Sequence, residues 1–124
     1  MMETESSQLK PIVWIGSSRK DLKTFPRDVQ ADIGYALYAA QRGEEYASVK
    51  ALKGFGGRSV LEIVAPQNSH TYRAVYPVRF QGAIYVLHAF QKKSKKGIAT
   101  PKHDVDLIHR RLAEAERHHK ERQN

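Results

Sequence analysis

Two alternating segments separated by a Gln-Gly pair constrain this chain more than any other feature. Residues 71–80 and residues 83–91 each alternate apolar and polar side chains, and Gln81-Gly82 separates them. A two-residue connection that ends in glycine is a strong signal for a β-hairpin. The sequence therefore predicts two antiparallel strands in a fixed register. Pro77 cannot donate a ladder hydrogen bond, so we expect a bulge or an unpaired position near it.

The predicted register places four side chains of different chemistry on one face of the sheet. With the turn at residues 81–82, Arg73 faces Phe90, and His88 and Lys92 lie two positions to either side of Phe90. Because side chains alternate between the two faces of a sheet, Arg73, His88, Phe90 and Lys92 share a face. An arginine, an imidazole, an aromatic ring and a lysine together suit a phosphodiester. The same residues could instead form a solvated hairpin end with scattered charge.

Length and composition indicate a single globular domain. The chain has 124 residues, of which 40% are hydrophobic and 27% are charged, as in ordinary globular proteins. No apolar run reaches the roughly 20 residues needed to span a bilayer, and the first residues lack the pattern of a signal peptide. We therefore expect no membrane association. The chain has no cysteine, which excludes disulfides and thiolate metal sites and is compatible with a reducing cytoplasm.

Positive charge is the main compositional clue to a partner. The formal net charge is +8, and residues 91–102 contain five lysines and no acidic residue. Such a charge favours a polyanionic partner, and charge alone does not distinguish a nucleic acid, a membrane surface or an acidic protein. A lysine run of this kind is usually a solvated loop, but here a helix start follows at Thr100-Pro101.

Periodicity along the chain predicts an α+β fold with a small mixed β-sheet of about four strands. The predicted elements are a strand over 10–16, helices over 19–25 and 27–42, a glycine-containing loop over 44–57, a strand over 58–64, a connector over 65–70, the two strands described above, and a final helix from residue 100. The order is β-α-α-β-β-β-α. We expect residues 1–9 to be a disordered tail, residues 10–117 to form the domain and residues 118–124 to fray.

Several kinds of catalytic site find no support in the sequence. The six histidines include no HExxH or histidine-carboxylate grouping, so we expect no metal ion or other cofactor. No nucleophile motif accompanies His88, and Glu62 is the only acidic residue between Glu45 and Asp104. Positive charge and one imidazole remain. These suit metal-free cleavage of RNA, in which the ribose 2′-OH is the nucleophile, or simple binding of the RNA backbone without cleavage.

A longer pattern resembles a known family. The stretch HTYRAVYPVRFQGAIYVLHAFQKKSKKGIATPKHDVDLIHRRL, together with the upstream LKGFGGRSVLEI, resembles the RelE/HigB superfamily of bacterial toxins and most closely its phage-derived, HigB-like branch. The resemblance covers about residues 10–117. It implies a RelE-like fold, a cytoplasmic endoribonuclease that cuts translated mRNA on the ribosome, and neutralisation by an antitoxin. In this branch the antitoxin is typically a helix-turn-helix protein encoded by a neighbouring gene.

The resemblance also implies roles for particular residues. Arg73 matches the family's phosphate-stabilising arginine, and the lysines of residues 92–96 lie where the family places its late-strand basic residues. The tyrosine or acidic residue near the last helix of other members has no clear match, so the general acid and base are open among Lys92, Lys93 and His88. We expect RNA contacts from Lys53, Arg58, Phe90, Lys95 and Lys96. The alternative is a non-catalytic binding module or a ParE-like inhibitor of gyrase.

Overall fold

Six strands and three helices occur in the part of the chain that the computed structural model describes, residues 9–93 and 100–123. In chain order they are β1 Ile12–Trp14, α1 Ser18–Leu22, α2 Arg27–Gln41, β2 Val49–Ala51, β3 Val60–Gln67, β4 His70–Pro77, β5 Ile84–Val86, β6 His88–Lys93 and α3 Lys102–Gln123. The predicted α+β class is confirmed. Strand β2 is an addition to the predicted order, because a segment of three residues leaves too little alternation to detect. The predicted strand over 83–91 is divided into β5 and β6.

The register predicted for the sheet is confirmed. Strands β2, β3, β4 and β6 form an antiparallel sheet in that spatial order. Within it Val75 faces His88, Arg73 faces Phe90, and the pairing continues without a bulge to the end of β6. Pro77 does not shift this register, because it is the last residue of β4 and lies beyond the β4–β6 pairing.

The predicted continuous hairpin is wrong between Pro77 and Leu87. The chain turns at residues 81–82, where Gly82 has a φ of +90°, but the segments next to the turn do not pair with each other. Strand β5 pairs instead with β1 in parallel, with Ile12 opposite Ile84. Proline cannot continue the ladder, so the chain leaves the sheet there. It rejoins at Leu87, whose N–H donates to the Val75 carbonyl at 2.8 Å.

The tightest turn of the sheet lies in the predicted connector. Strands β3 and β4 pair as far as Gln67 and His70, and Asn68 between them has a φ of +55°. Asparagine tolerates this left-handed conformation better than most residues. Pro66, which has no backbone N–H, is compatible with the strand because the described ladder with β2 stops earlier, so that no described neighbour on that side requires a donor at this position.

Helices α1 and α2 cover one face of the sheet. Apolar residues recur along α2 at spacings of three and four and are buried in one core, which also contains Leu61, Ile63 and Tyr72 from the sheet. Helix α2 ends where Gly43 adopts a φ of +81°, a common helix stop. This core fixes the sheet and leaves its opposite face to the last helix.

Helix α3 covers part of the opposite face. Ile108, Leu112 and Ala115 are buried against sheet residues that include Val75 and Phe90. The helix begins at Lys102, directly after the predicted start at Thr100-Pro101, and the Pro101 carbonyl accepts the first bonds. It also continues to Gln123 where the sequence predicts fraying from residue 118 onward, and His118 Nδ1 lies 2.9 Å from the Tyr85 hydroxyl.

Some sequence predictions fall outside the described residues. The predicted disordered tail lies there except for its last residue, as do Lys95 and Lys96. None of the helices between residues 9–93 and 100–123 combines the length and apolar character needed to cross a bilayer.

Candidate active site

Four charged side chains share the face of the sheet that carries α3. Lys50 on β2 faces Glu62 on β3, and Glu62 faces Val75 on β4. Arg73 lies two residues before Val75 and therefore points to the same side, diagonal to Glu62. Lys92 lies two residues after Phe90, the partner of Arg73. We call Lys50, Glu62, Arg73 and Lys92 the Arg73 cluster.

The centre of the Arg73 cluster is a buried ion pair. Arg73 Nη1 donates to Glu62 Oε1 at 2.6 Å, and the two side chains are 13% and 5% exposed. Glu62 uses one guanidinium nitrogen, and Arg73 Nε is buried without a hydrogen-bond partner among the described residues. A buried N–H without an acceptor is costly. The guanidinium is thus fixed in place and retains capacity for an anionic acceptor.

Lys92 is the member of the cluster best suited to proton transfer. Its side chain is buried, and this burial lowers the pKa of Lys92 below its ordinary value, with further lowering by the charges of Arg73 and Lys50. The Glu62 carboxylate acts in the opposite direction and raises the pKa without cancelling the shift. A lysine with a depressed pKa holds a neutral amine more readily and can accept a proton.

His88 lies on the predicted face but is enclosed beneath the start of α3. Its Nε2–H donates to Asp104 Oδ1 at 2.8 Å, and its ring stacks on Phe90 with centroids 4.6 Å apart. Burial lowers the pKa of His88, and the hydrogen bond and charge of Asp104 oppose that effect without cancelling it. The imidazole is therefore neutral near pH 7, with its proton on Nε2, and Nδ1 has no described partner.

Phe90 is likewise a packing residue in this structure. It is 9% exposed and belongs to the core beneath α3. The ring face next to His88 is occupied by the imidazole. The sequence predicts that an RNA base stacks on Phe90, but in this conformation the ring has no open face for such stacking.

The other predicted RNA-binding residues do not join the Arg73 cluster. Lys53 is exposed in the turn between β2 and β3, at the sheet end opposite Lys92. Arg58 follows in the same turn and pairs with Glu45, beyond the end of α2. Lys93 is the last residue of β6, and Lys95 and Lys96 lie outside the described residues. Of the predicted site residues, Arg73 and Lys92 are brought within electrostatic reach of one another.

Sequence reasoning missed the two carboxylates that organise this face. In the sequence Glu62 stands as an isolated acid and Asp104 suits only the helix dipole, whereas in the structure they pair with Arg73 and His88. The signal that could have identified Glu62 is its place between Leu61 and Ile63 in an apolar strand, since an acid inside a buried strand needs a partner. Asp104 carries no comparable signal.

The cluster has the groups needed to bind an anion and to move a proton. It combines three cations with one carboxylate, and its arginine has donors that no described residue uses. Across residues 9–93 and 100–123, no three His, Asp or Glu side chains converge as metal ligands would. Phosphate is an anion that such a guanidinium and amine can bind together.

Comparisons with known proteins place the chain in a family. The sequence profile described as Phage derived protein Gp49-like (DUF891) matches residues 20–113. Among solved structures, one chain of the toxin-antitoxin complex RelBE2 from Mycobacterium tuberculosis superposes with a TM-score of 0.46 at 14% identity, covering 69% of this chain and 94% of that one. No curated protein matches the sequence. Because the profile spans most of the chain, the protein belongs to the Gp49-like family of phage-derived proteins, a RelE-type toxin family.

Proposed function

We propose that this chain is the toxin of a type II toxin–antitoxin pair and a metal-independent endoribonuclease that cuts translated mRNA. The observation that carries the proposal is the Arg73 cluster. There, a buried arginine has an unpartnered Nε–H beside a lysine whose pKa is depressed. These are the two functions that RNA cleavage needs from a protein when the ribose supplies the nucleophile.

In the proposed reaction, Arg73 stabilises the charge that develops on phosphorus-bound oxygens. The guanidinium has five N–H donors, and Glu62 accepts from Nη1, which leaves other donors for the phosphate. Because Glu62 fixes the side chain before substrate arrives, little reorganisation is needed during the reaction. Glu62 therefore acts as a positioning residue in this proposal.

Lys92 serves in proton transfer. Its neutral amine accepts the proton of the ribose 2′-OH, the 2′ oxygen bonds to phosphorus, and the bond from phosphorus to the 5′ oxygen breaks. The leaving 5′ oxygen receives a proton from the ammonium of Lys92 or Lys93. The products are a 2′,3′-cyclic phosphate and a 5′-hydroxyl, and no water or metal enters this step. The depressed pKa of Lys92 supports its role as the base.

His88 and Phe90 receive a positioning role in this proposal. His88 is bonded to Asp104 and covered by α3, so it reaches no substrate in this conformation. The stacked pair instead supports the segment of β6 that leads to Lys92. Lys53, Arg58, Lys95 and Lys96 remain candidates for contacts to RNA backbone.

The proposed partners are those of a toxin that acts in the cytoplasm during translation. They are mRNA with the ribosome, and an antitoxin of the helix-turn-helix class encoded by a neighbouring gene. The RelBE2 structure is a toxin-antitoxin complex. We extend an antitoxin partner to this chain on the basis of its family membership. The net charge of +8 suits both RNA and an acidic protein.

A second candidate is a non-catalytic inhibitor that binds a protein such as gyrase, as in the ParE branch. The observation that favours it is the Glu62–Arg73 pair itself, because an arginine already neutralised by a buried carboxylate can be purely structural. The two candidates differ in whether RNA is cut.

The test maps new 5′ ends on mRNA from cells that briefly express the chain, with and without the neighbouring gene. We expect 5′-hydroxyl ends inside reading frames that the neighbour suppresses. Removal of a transition-state interaction should slow cleavage about a hundredfold or more in Arg73→Ala. Arg79→Ala is the matched control, because Arg79 is an exposed arginine that pairs with Glu116 outside the cluster.

Cleavage by Arg73→Ala at the wild-type rate would contradict the assignment, and growth arrest without new RNA ends would favour the protein inhibitor. Since removal of Arg73 alone leaves Glu62 buried and unpaired, the double variant Glu62→Gln/Arg73→Gln is measured as well. Circular dichroism of each purified variant separates loss of activity from loss of folding.

A further inference from the structure

Four cations lie together on the solvent side of the segment that contains α1. Ser18 and Leu22 are the buried residues of this short helix, Asp21 is half-buried, and Arg19 and Lys20 are exposed. The exposed cations are Arg19, Lys20, Lys23 and, at the start of α2, Arg27. We call these four residues the α1 cation cluster.

The acidic residues nearby have other hydrogen-bond partners and form no ion pair with this cluster. Asp21 accepts a hydrogen bond from the Ser17 hydroxyl at 2.7 Å, and Asp28 accepts two from the Gln67 side chain. None of the four cations forms an ion pair with a residue in the described ranges 9–93 and 100–123. The four cations outnumber the two nearby carboxylates, Asp21 and Asp28, so residues 19–28 keep a net positive charge.

The backbone beneath the cluster is fixed. The Lys23 N–H donates to the Arg19 carbonyl at 3.1 Å, and the Gln30 side chain donates to the carbonyls of Lys23 and Phe25. Phe25 in turn packs on Tyr72 of β4 with ring centroids 4.7 Å apart. Cations on a fixed backbone lose less conformational entropy on binding than cations on a flexible tail.

The α1 cation cluster lies next to a strand that carries part of the candidate active site. Helix α1 packs against β6, the strand that carries Lys92, and β6 is an edge strand of the four-stranded sheet. A polyanion that reaches the Arg73 cluster from this edge would next meet the exposed side of α1. Repeated, closely spaced positive charge complements a sugar-phosphate backbone, and such contacts require no particular base.

We propose that the α1 cation cluster is a second RNA-binding surface, which holds the backbone of the RNA on the β6 side of the cleaved nucleotide. This inference rests on the proposed function, because it takes RNA to be the substrate. It assigns binding, and no part of the chemistry, to Arg19, Lys20, Lys23 and Arg27.

The experiment measures the affinity of the full chain for a fluorescent single-stranded 2′-O-methyl RNA as a function of salt. This probe has no free 2′-OH and so is not cut by the proposed reaction. The α1 variant changes Arg19, Lys20, Lys23 and Arg27 to alanine. The control variant changes four exposed cations of α3 to alanine, namely Arg110, Arg117, Lys120 and Arg122. Both variants remove four positive charges.

We expect the α1 variant to bind at least about tenfold more weakly at low salt, with a salt slope shallower by about 0.7 for each phosphate that the variant no longer neutralises. The control variant should keep a slope near that of the wild type. An equal decrease in affinity in both variants would mean that only the total charge of the protein matters, which would overturn the inference. Unchanged binding by the α1 variant would overturn it as well.

Cleavage assays in parallel separate this inference from the proposed function. If the wild-type protein cuts no RNA but the α1 variant alone loses affinity for RNA, the nuclease proposal fails and the proposal of a second RNA-binding surface stands. If the wild-type protein cuts RNA and the α1 variant binds RNA with the affinity of the wild type, the proposal of a second RNA-binding surface fails and the nuclease proposal stands.

Discussion

At the scale of single residues, the pairing of Arg73 with Glu62 decides what this sheet face can do. Their contact is 2.6 Å long and both side chains are largely withdrawn from solvent. A buried ion pair is weak evidence for stability, but removal of one partner leaves an uncompensated buried charge. The pair therefore fixes the arginine more than it strengthens the fold.

Glu62→Gln should lower the free energy of unfolding by about 2 kcal/mol or more, because Arg73 then keeps its charge without a buried counter-ion. It should also lower the pKa of Lys92 further, since the Glu62 charge raises that pKa. Urea unfolding and NMR titration of the Lys92 amine measure the two effects.

Glu45→Gln is the control for this variant, because it breaks the exposed pair between Glu45 and Arg58. Exposed pairs contribute about 1 kcal/mol or less. Equal destabilisation by the two substitutions would contradict a special role for the buried pair.

At the scale of elements, a buried hydrogen bond attaches the N-terminus of α3 to β6. Asp104 in the first turn accepts a hydrogen bond from His88 at 2.8 Å, while Asp106 pairs with Lys102 on the solvent side. Further along, Arg111 donates to the Leu87 carbonyl at 3.0 Å. These contacts determine where α3 crosses the sheet and hence how much of it remains for a substrate.

Asp104→Ala should destabilise the protein by about 1–3 kcal/mol, since it leaves His88 buried with no partner on either ring nitrogen. Amide hydrogen exchange in the first turn of α3 should accelerate more than in the centre of the helix. Asp106→Ala is the matched control in the same turn and should change stability little. Unaltered exchange in the Asp104→Ala variant would show that α3 is held by its apolar contacts alone.

At the scale of the whole molecule, one buried histidine should govern stability in mild acid. The pKa of His88 is lowered from its ordinary value of 6.5, mainly by burial. Between the folded and unfolded pKa values the unfolded chain binds more protons, so stability falls as pH falls below about 6.5. Above that pH the imidazole is neutral in both the folded and the unfolded state, so it does not make the stability depend on pH.

Wild-type protein should therefore lose stability below about pH 6.5 with a slope of at most about 1.4 kcal/mol per pH unit from this group. His88→Gln should remove that slope, although it lowers stability at all pH values because the packing on Phe90 is weakened. His109→Gln is the control, because His109 is an exposed imidazole stacked on Phe55. A wild-type slope that persists in His88→Gln would assign the effect to other groups.

Part of the candidate site could be predicted from the amino-acid sequence, because the geometry of a β-strand determines which side chains share a face. Alternation and the Gln81-Gly82 turn were enough to place Arg73, His88 and Lys92 on one face, because strand register follows from period-two patterning. The helical face of α2 followed in the same way from its spacing. Each of these features depends on residues close together in the chain.

Local patterns in the chain were sufficient to establish the α+β class, the β4–β6 register and the excess of positive charge. Tertiary packing was needed to show that Glu62 holds Arg73, that Asp104 encloses His88, and that β5 leaves the hairpin to pair with β1. Periodicity reports which side of an element a residue occupies, but burial and pairing depend on elements distant in sequence. Packing of α3 against the sheet made His88 and Phe90 interior residues and left Arg73 and Lys92 as the candidate chemistry.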